Sequence, residues 1–163
     1  MKALLGTLVF TILVPGAFVI GLPIMLGISS STPGFVGSRT AGLLLILAGV
    51  AIYVWAATAF VLEGKGTPSP TAPPTQFVAV GPYQYVRNPI YIGELIVVTG
   101  LAAVLGSALV LIYAGGLFAV LHLFIVTYEE PGLRRRFGSA YDGYVREVDR
   151  WLPFGKIGRR KST

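Results

Sequence analysis

The chain has 163 residues, of which 54% are hydrophobic and 12% charged, and 13 Lys and Arg stand against 7 Asp and Glu for a net charge of +6. The length suits one domain, and the balance lies far outside the soluble range, so a soluble globular domain is excluded and a bilayer is the solvent the composition fits. Cysteine is absent, which removes disulfides, thiolate metal sites, thiol nucleophiles and self-prenylation.

In chain order, three stretches carry no charge: Ala3 to Ser38, Thr40 to Leu62 and Leu95 to Tyr128, each reaching the roughly 20 residues that a spanning helix requires. Lys2 before the first invites a signal-peptide reading, but the run exceeds a normal h-region and lacks a clear small-x-small cleavage site. The third stretch is too long for one crossing, and Gly106-Ser107 offers a turn, which predicts two helices, a short Pro89 to Leu105 and Ala108 to Tyr128. The expected fold is all-α: a polytopic membrane helical bundle of about four transmembrane helices with a cytoplasmic amphipathic C-terminal helix. Residues 1–62 hold two N-terminal spans, and residues 63–163 hold a Pro-rich loop, a helical hairpin and the C-terminal segment.

The charges bear on the span count, because cytoplasmic segments near membrane ends carry excess Lys and Arg. With four spans, Lys2, Lys65, Arg87 and all nine basic residues from Arg134 to Lys161 fall on one side and Arg39 alone on the other. An even count with both termini cytoplasmic, in the cell membrane, follows. The net charge then reads as orientation and contact with anionic membrane lipids, with no nucleic acid as partner.

Between the second and third spans, prolines 68, 70, 73 and 74 exclude helix or ladder strand and predict an extended connection. Next comes the run from Val80 to Glu94, dense in turn formers and aromatics. Pro89 suits the first turn of the third helix, with Asn88 as its cap. Tyr83, Tyr85 and Tyr91 read either as an interfacial aromatic belt with Arg87 snorkelling or as part of a site. Glu94 strains the belt reading, since a carboxylate one turn into a membrane helix is costly unless it faces a polar cavity or a partner. His122, the single histidine, cannot make a metal cluster alone, and packing between helices is its expected state.

The last span is expected to end in Tyr128-Glu129-Glu130-Pro131. Two carboxylates at a helix C-terminus oppose its dipole and need a reason, such as Arg134 nearby or a cationic ligand. Beyond them Leu133, Phe137, Tyr141, Tyr144 and Val148 recur at spacings of four, four, three and four, one face of a helix that lies on the membrane or covers the core.

Two segments, taken together, resemble the isoprenylcysteine carboxyl methyltransferase family and its phospholipid methyltransferase relatives. They are Gly81-Pro-Tyr-x-Tyr-x-Arg-Asn-Pro-x-Tyr-x-Gly and Glu129-Glu-x-x-Leu-x-x-x-Phe-Gly-x-x-Tyr-x-x-Tyr, closing on Arg150-Trp-Leu-Pro, and the likeness covers roughly residues 60 to 154. It implies S-adenosylmethionine as cofactor, held at the cytoplasmic end of the hairpin by Thr75, Gln76, Phe77, Val78, Tyr83, Asn88, Pro89, Ile90, Tyr91 and Glu129. Arg87, Glu94 and Glu130 are candidates for shaping the site, and no residue is assigned as catalytic. Asn88 stands where eukaryotic members have histidine, and Ile125 where they hold an arginine for the prenylcysteine substrate. The implied reaction is methyl transfer to a lipophilic acceptor, the carboxylate, amine or hydroxyl of a lipid. Such a transfer needs in-line positioning and desolvation more than acid or base catalysis.

Two other classes compete. Arg87 through Glu94 also resembles the Arg-x-Pro-x-Tyr-x-Gly-Glu segment of membrane sterol reductases, which use a reduced nicotinamide cofactor. A non-enzymatic membrane or lipid-binding protein is the third reading. The Glu-Glu to Phe-Gly to Tyr-x-x-Tyr run favours methyl transfer.

Overall fold

The computed structural model describes residues 13–29, 37–64 and 77–153, and nearly all of them are helical. The helices are α1 (Leu13–Ile28), α2 (Arg39–Leu62), α3 (Pro89–Leu105), α4 (Ala108–Phe124), α5 (Glu130–Phe137) and α6 (Ser139–Glu147). No β-strand forms among the described residues, where Val86 and Asp149 make an isolated parallel bridge. Two helices are long and apolar enough to cross a membrane, Arg39–Leu62 and the continuous run Ala108–Phe137, and Leu13–Ile28 and Pro89–Leu105 are shorter apolar helices. Their outward residues include Leu43, Leu44, Leu47 and Val54 on α2 and Ile112 and Leu123 on α4, all exposed, as suits contact with lipid tails. The proline-rich connection, Lys2, Lys65 and the basic residues from Lys156 onward lie outside the described residues.

Local chemistry sets the helix ends. Ser38 and Ser107 cap α2 and α4, their hydroxyls accepting from the backbone N–H of Ala41 at 3.2 Å and of Val110 at 3.4 Å. Gly106 ends α3 at a φ of 59°, the left-handed conformation that glycine adopts without penalty, so the turn sits where Gly106-Ser107 predicts it. Asn88 does occupy the N-cap position of α3, yet its side chain makes no cap bond. It donates instead to the carbonyl of Arg150 at 3.1 Å.

The α2–α3 pair forms the centre of the bundle. Gly42 faces Gly100 and Gly49 faces Gly93, an antiparallel seam in which a Cβ on Gly49 would lie 2.6 Å from the Gly93 carbonyl oxygen. Small residues let backbones approach this closely, and in lipid such packing does the work that water exclusion does elsewhere. Flanking this seam, Val19, Val97, Val98, Ala102, Val110 and Ala114 join α1, α3 and α4 in one apolar cluster. A second cluster of Ala56, Ala59, Val78, Tyr83 and Ile90 fastens the segment before α3 to α2.

The expected end of the last span at Tyr128 to Glu130 is not observed. A proline inside a helix lacks the N–H for the carbonyl four residues back and clashes with it. Here the turn before Pro131, Ile125–Glu129, is widened to a π-helix, with the Glu130 N–H bonded to the Ile125 carbonyl, and the chain stays helical past the proline. The same device precedes Pro23, where Gly16–Gly21 is π-helical. Glu129 and Glu130 therefore sit within a continuous helix, and the dipole argument applies instead at Phe137, where Arg134, Arg135 and Arg136 occupy the last turn with the favourable sign.

The apolar stripe of the C-terminal segment is likewise split. Gly138, at a φ of 52°, breaks the run into α5 and α6. Phe137, Tyr141 and Tyr144 nevertheless converge, with ring centroids 5.4, 6.0 and 5.1 Å from that of Phe77. Val148 follows α6 in extended backbone and is buried.

Candidate functional site

The helices and the C-terminal segment enclose a cavity of about 750 Å³. One end is polar, built by Tyr83 from the 3₁₀ turn Gly81–Gln84, Arg87 and Asn88 from the approach to α3, Tyr91 on its first turn, and Glu129 and Glu130 at the π-turn. Tyr141 and Tyr144 of α6 close it, and Arg135 and Arg136 of α5 border it. The other end is apolar, lined by Val14, Phe18 and Val19 of α1 and Leu117, Leu121 and Phe124 of α4, while Phe60 of α2 borders the cavity beside Tyr83, the ring centroids 5.2 Å apart.

All the expected site residues but Thr75 and Gln76 fall among the described residues. Phe77, Val78, Tyr83, Asn88, Ile90, Tyr91 and Glu129 line the cavity, as do Arg87, Glu94 and Glu130. Pro89 does not border it and is fully buried at the helix start. Thr75 and Gln76 lie outside the described residues.

Within the polar end the two adjacent carboxylates do different things. Glu129 accepts a hydrogen bond from the Tyr91 hydroxyl at 3.0 Å and otherwise faces the cavity. Glu130 is the centre of a clasp: it accepts from Arg87 at 2.9 Å and from two nitrogens of Arg150 at 2.8 and 3.0 Å. Arg87 is buried in this network, which removes the snorkelling reading. The clasp is extended by backbone: the Arg87 N–H donates to the Asp149 carbonyl at 2.9 Å, and the Tyr144 hydroxyl donates to the Tyr83 carbonyl at 2.7 Å. Tyr144, Asp149 and Arg150 are thus laced against Tyr83, Arg87 and Asn88 and form a wall of the site.

Tyr83 is buried, and its hydroxyl has no hydrogen-bond partner among the described residues. Burial, reinforced by the charge of Glu129, pushes its pKa well above the ordinary tyrosine value, so it remains a neutral donor. Of the three tyrosines read as an interfacial belt, Tyr85 alone is exposed, its ring 6.3 Å from that of Trp55. His122 is packed, as expected of it, but against Trp151: its Nδ1 accepts from the indole N–H at 3.1 Å, and Phe118 lies alongside both rings.

The apolar wall from α1, Phe60 and α4 is what the sequence reading missed. Those residues carry no motif, and only the tertiary arrangement separates cavity-facing leucines from lipid-facing ones. The sequence marks Arg135 and Arg136 by their charge alone, and only the fold brings them to the cavity.

A family model described as phospholipid methyltransferase matches residues 38–140 of the chain. Among curated proteins, the chain is 28% identical over 89 residues to the nickel-cobalt-cadmium resistance protein NccN of Alcaligenes xylosoxydans xylosoxydans. That match covers 55% of this chain and 41% of the relative's length.

Proposed function

The chain belongs to the phospholipid methyltransferase family, and from that premise we propose that it transfers the methyl group of S-adenosylmethionine to a lipophilic acceptor. The observation that carries this reading is the two-ended cavity, polar where both sequence motifs meet and apolar between α1 and α4.

The residues present fit the cofactor. The volume falls in the range of small-molecule sites, roughly 300 to 1,000 Å³. Glu129 offers a carboxylate with accepting capacity beyond its bond to Tyr91, and the Tyr83 hydroxyl is a buried donor without a partner among the described residues. An unused buried donor is costly, so a ligand that accepts from it gains by the exchange. Phe77, Val78, Asn88, Ile90 and Tyr91 supply the remaining wall on this side. Arg135 and Arg136 add positive charge suited to the cofactor's carboxylate. When bound, S-adenosylmethionine supplies an electrophilic methyl carbon on a sulfonium. The chain's own part is to align the acceptor in line with that carbon and exclude water.

The acceptor's tail would lie along Val14, Phe18, Leu117, Leu121 and Phe124. Ile125, which the family resemblance aligns with a prenylcysteine-binding arginine, is buried in the cavity wall and offers no charge to a prenylcysteine carboxylate. In the membrane we propose four spans, α1 and α3 crossing beside the two long helices, with both termini and the polar end of the cavity on the cytoplasmic side. The grouping of Lys and Arg supports this orientation.

The test is calorimetric titration of S-adenosylmethionine into the detergent-purified protein. Glu129→Ala should weaken binding about ten- to a hundredfold, the equivalent of losing about 1.5 to 3 kcal/mol from hydrogen bonds to a charged group. Wild-type affinity in that variant, with an unchanged gel-filtration profile, would refute the site.

A further inference from the structure

Glu94 is the one carboxylate lining the cavity for which the clasp and the Tyr91–Glu129 pair have no use. It lies on α3 one turn beyond Tyr91, about 4.5 Å farther along the helix axis, and only 9% of its surface is exposed. It borders the cavity, and among the described residues it makes neither a hydrogen bond nor an ion pair. A carboxylate in a membrane helix is costly unless something compensates it. Across the cavity from α3 stand Val14, Pro15, Phe18 and Val19 of α1 and Leu117 and Leu121 of α4, which offer no donor side chain. What can compensate it is a proton, which neutralises it, or a donor group that arrives with a ligand at the level where the polar end gives way to the apolar one.

Resting on the methyl-transfer reading above, we propose that Glu94 receives the proton given up by the acceptor's nucleophilic atom, so that the acceptor is an N–H or O–H lipid and not a carboxylate. A carboxylate head at this depth would face Glu94 as a like charge in a weakly screening medium. An amine or hydroxyl head would donate to it. In the step itself the X–H bond of the acceptor breaks with its electrons staying on X, and the proton goes to a Glu94 oxygen. The lone pair on X forms the new bond to the methyl carbon as the carbon–sulfur pair leaves with sulfur, giving a neutral thioether. The anion on Glu94 and the positive charge of the sulfonium disappear together, so no charge is left in the apolar part of the site.

The experiment uses the full chain in detergent with labelled S-adenosylmethionine and a total membrane lipid extract. Glu94→Gln keeps the shape and removes the base. Its affinity for S-adenosylmethionine by calorimetry should stay within about twofold of wild type, its methyl transfer should fall about 100-fold or more, and Glu94→Asp should recover part of the rate. The label on the wild-type product should resist mild alkali, as an N-methyl or ether methyl does. A Glu94→Gln variant that transfers at the wild-type rate overturns the inference. So does an alkali-labile methyl ester, a result that needs no variant to fold and leaves the methyl-transfer reading standing. If the wild-type protein binds no S-adenosylmethionine, or binds it and labels no lipid, that broader reading falls and this inference with it.

Discussion

Along the α2–α3 seam, helices meet through Gly42, Gly49, Gly93 and Gly100, whereas at the polar end of the cavity, elements meet through Arg87, Asn88, Glu130, Tyr144 and Arg150. The first region is regular helix in contact with lipid, where apolar side chains gain nothing by preferring a neighbour over an acyl tail and close backbone approach has to supply the attraction. The second is irregular chain at the end of the bundle. Its backbone groups cannot all bond within a helix, and they are satisfied by specific partners across long sequence separations. Packing holds the scaffold, and directional polar bonds hold the wall of the site.

If that division is right, the most damaging single change lies in the clasp. Glu130→Ala leaves Arg87, with a side chain 10% exposed, buried beside Arg150 without a counter-charge. Breaking a buried pair costs about 3 to 5 kcal/mol, and the lower end applies because the Arg150 side chain is 28% exposed and partly screened. Thermal denaturation in one detergent should show the loss, and S-adenosylmethionine affinity should fall as well through the displaced wall. A Glu130→Ala protein as stable as wild type would mean that the C-terminal segment is held by something other than this network.

The seam is tested by Gly49→Ala. Its new methyl would meet the Gly93 backbone oxygen at 2.6 Å and the Val97 backbone nitrogen at 2.9 Å, neither of which can swing away as a side-chain end would. Overpacking of this kind costs about 1 to 3 kcal/mol. Gly115→Ala and Gly116→Ala on α4 are the matched controls, since nothing lies within 4 Å of either added carbon. They should be neutral or stabilise by up to about 1 kcal/mol through helix propensity alone. Equal effects at all three positions would remove the seam's special role.

Much of this architecture is legible in the sequence, and the places where it is not share a cause. The uncharged stretches, the Gly106-Ser107 turn and the two motifs around the hairpin give the helical class and bring Tyr83, Tyr91 and Glu129 to one site. Helix continuity through Pro131 is not legible, because a π-turn depends on which carbonyls find donors in three dimensions and leaves no simple periodicity. The partner of Asn88 is sixty-two residues away, so a residue of helix-capping type at the capping position still serves tertiary structure. The separate fates of Glu129 and Glu130 are equally hidden, since adjacent positions on a helix point about 100° apart. The glycine seam is written in the chain at a seven-residue repeat, but its partner helix is known only once the pairing is.

The smallest expected effect belongs to Tyr144→Phe, and it separates the clasp's hydrogen bonds from its charges. The substitution removes one hydroxyl, which donates to the Tyr83 carbonyl at 2.7 Å, and keeps the ring against Phe77. A net loss of about 1 kcal/mol is expected, the usual contribution of one neutral hydrogen bond. Burial pushes the Tyr144 pKa above the ordinary tyrosine value, outweighing the opposite pull of Arg87. A pKa raised in the folded state means that the neutral hydroxyl is favoured there, so its contribution is fully present below the unfolded value of about 10. It is lost progressively as pH rises from there toward the folded value. Wild type and Tyr144→Phe should therefore differ by a constant amount from neutral pH to about pH 9, and the difference should shrink above it. Thermal melts of both proteins across that range read the difference directly. A gap that widens in alkali, or none at neutral pH, would show that the hydroxyl does not fasten α6 to the 3₁₀ turn, and would leave the Arg87–Glu130–Arg150 charges to hold the wall alone.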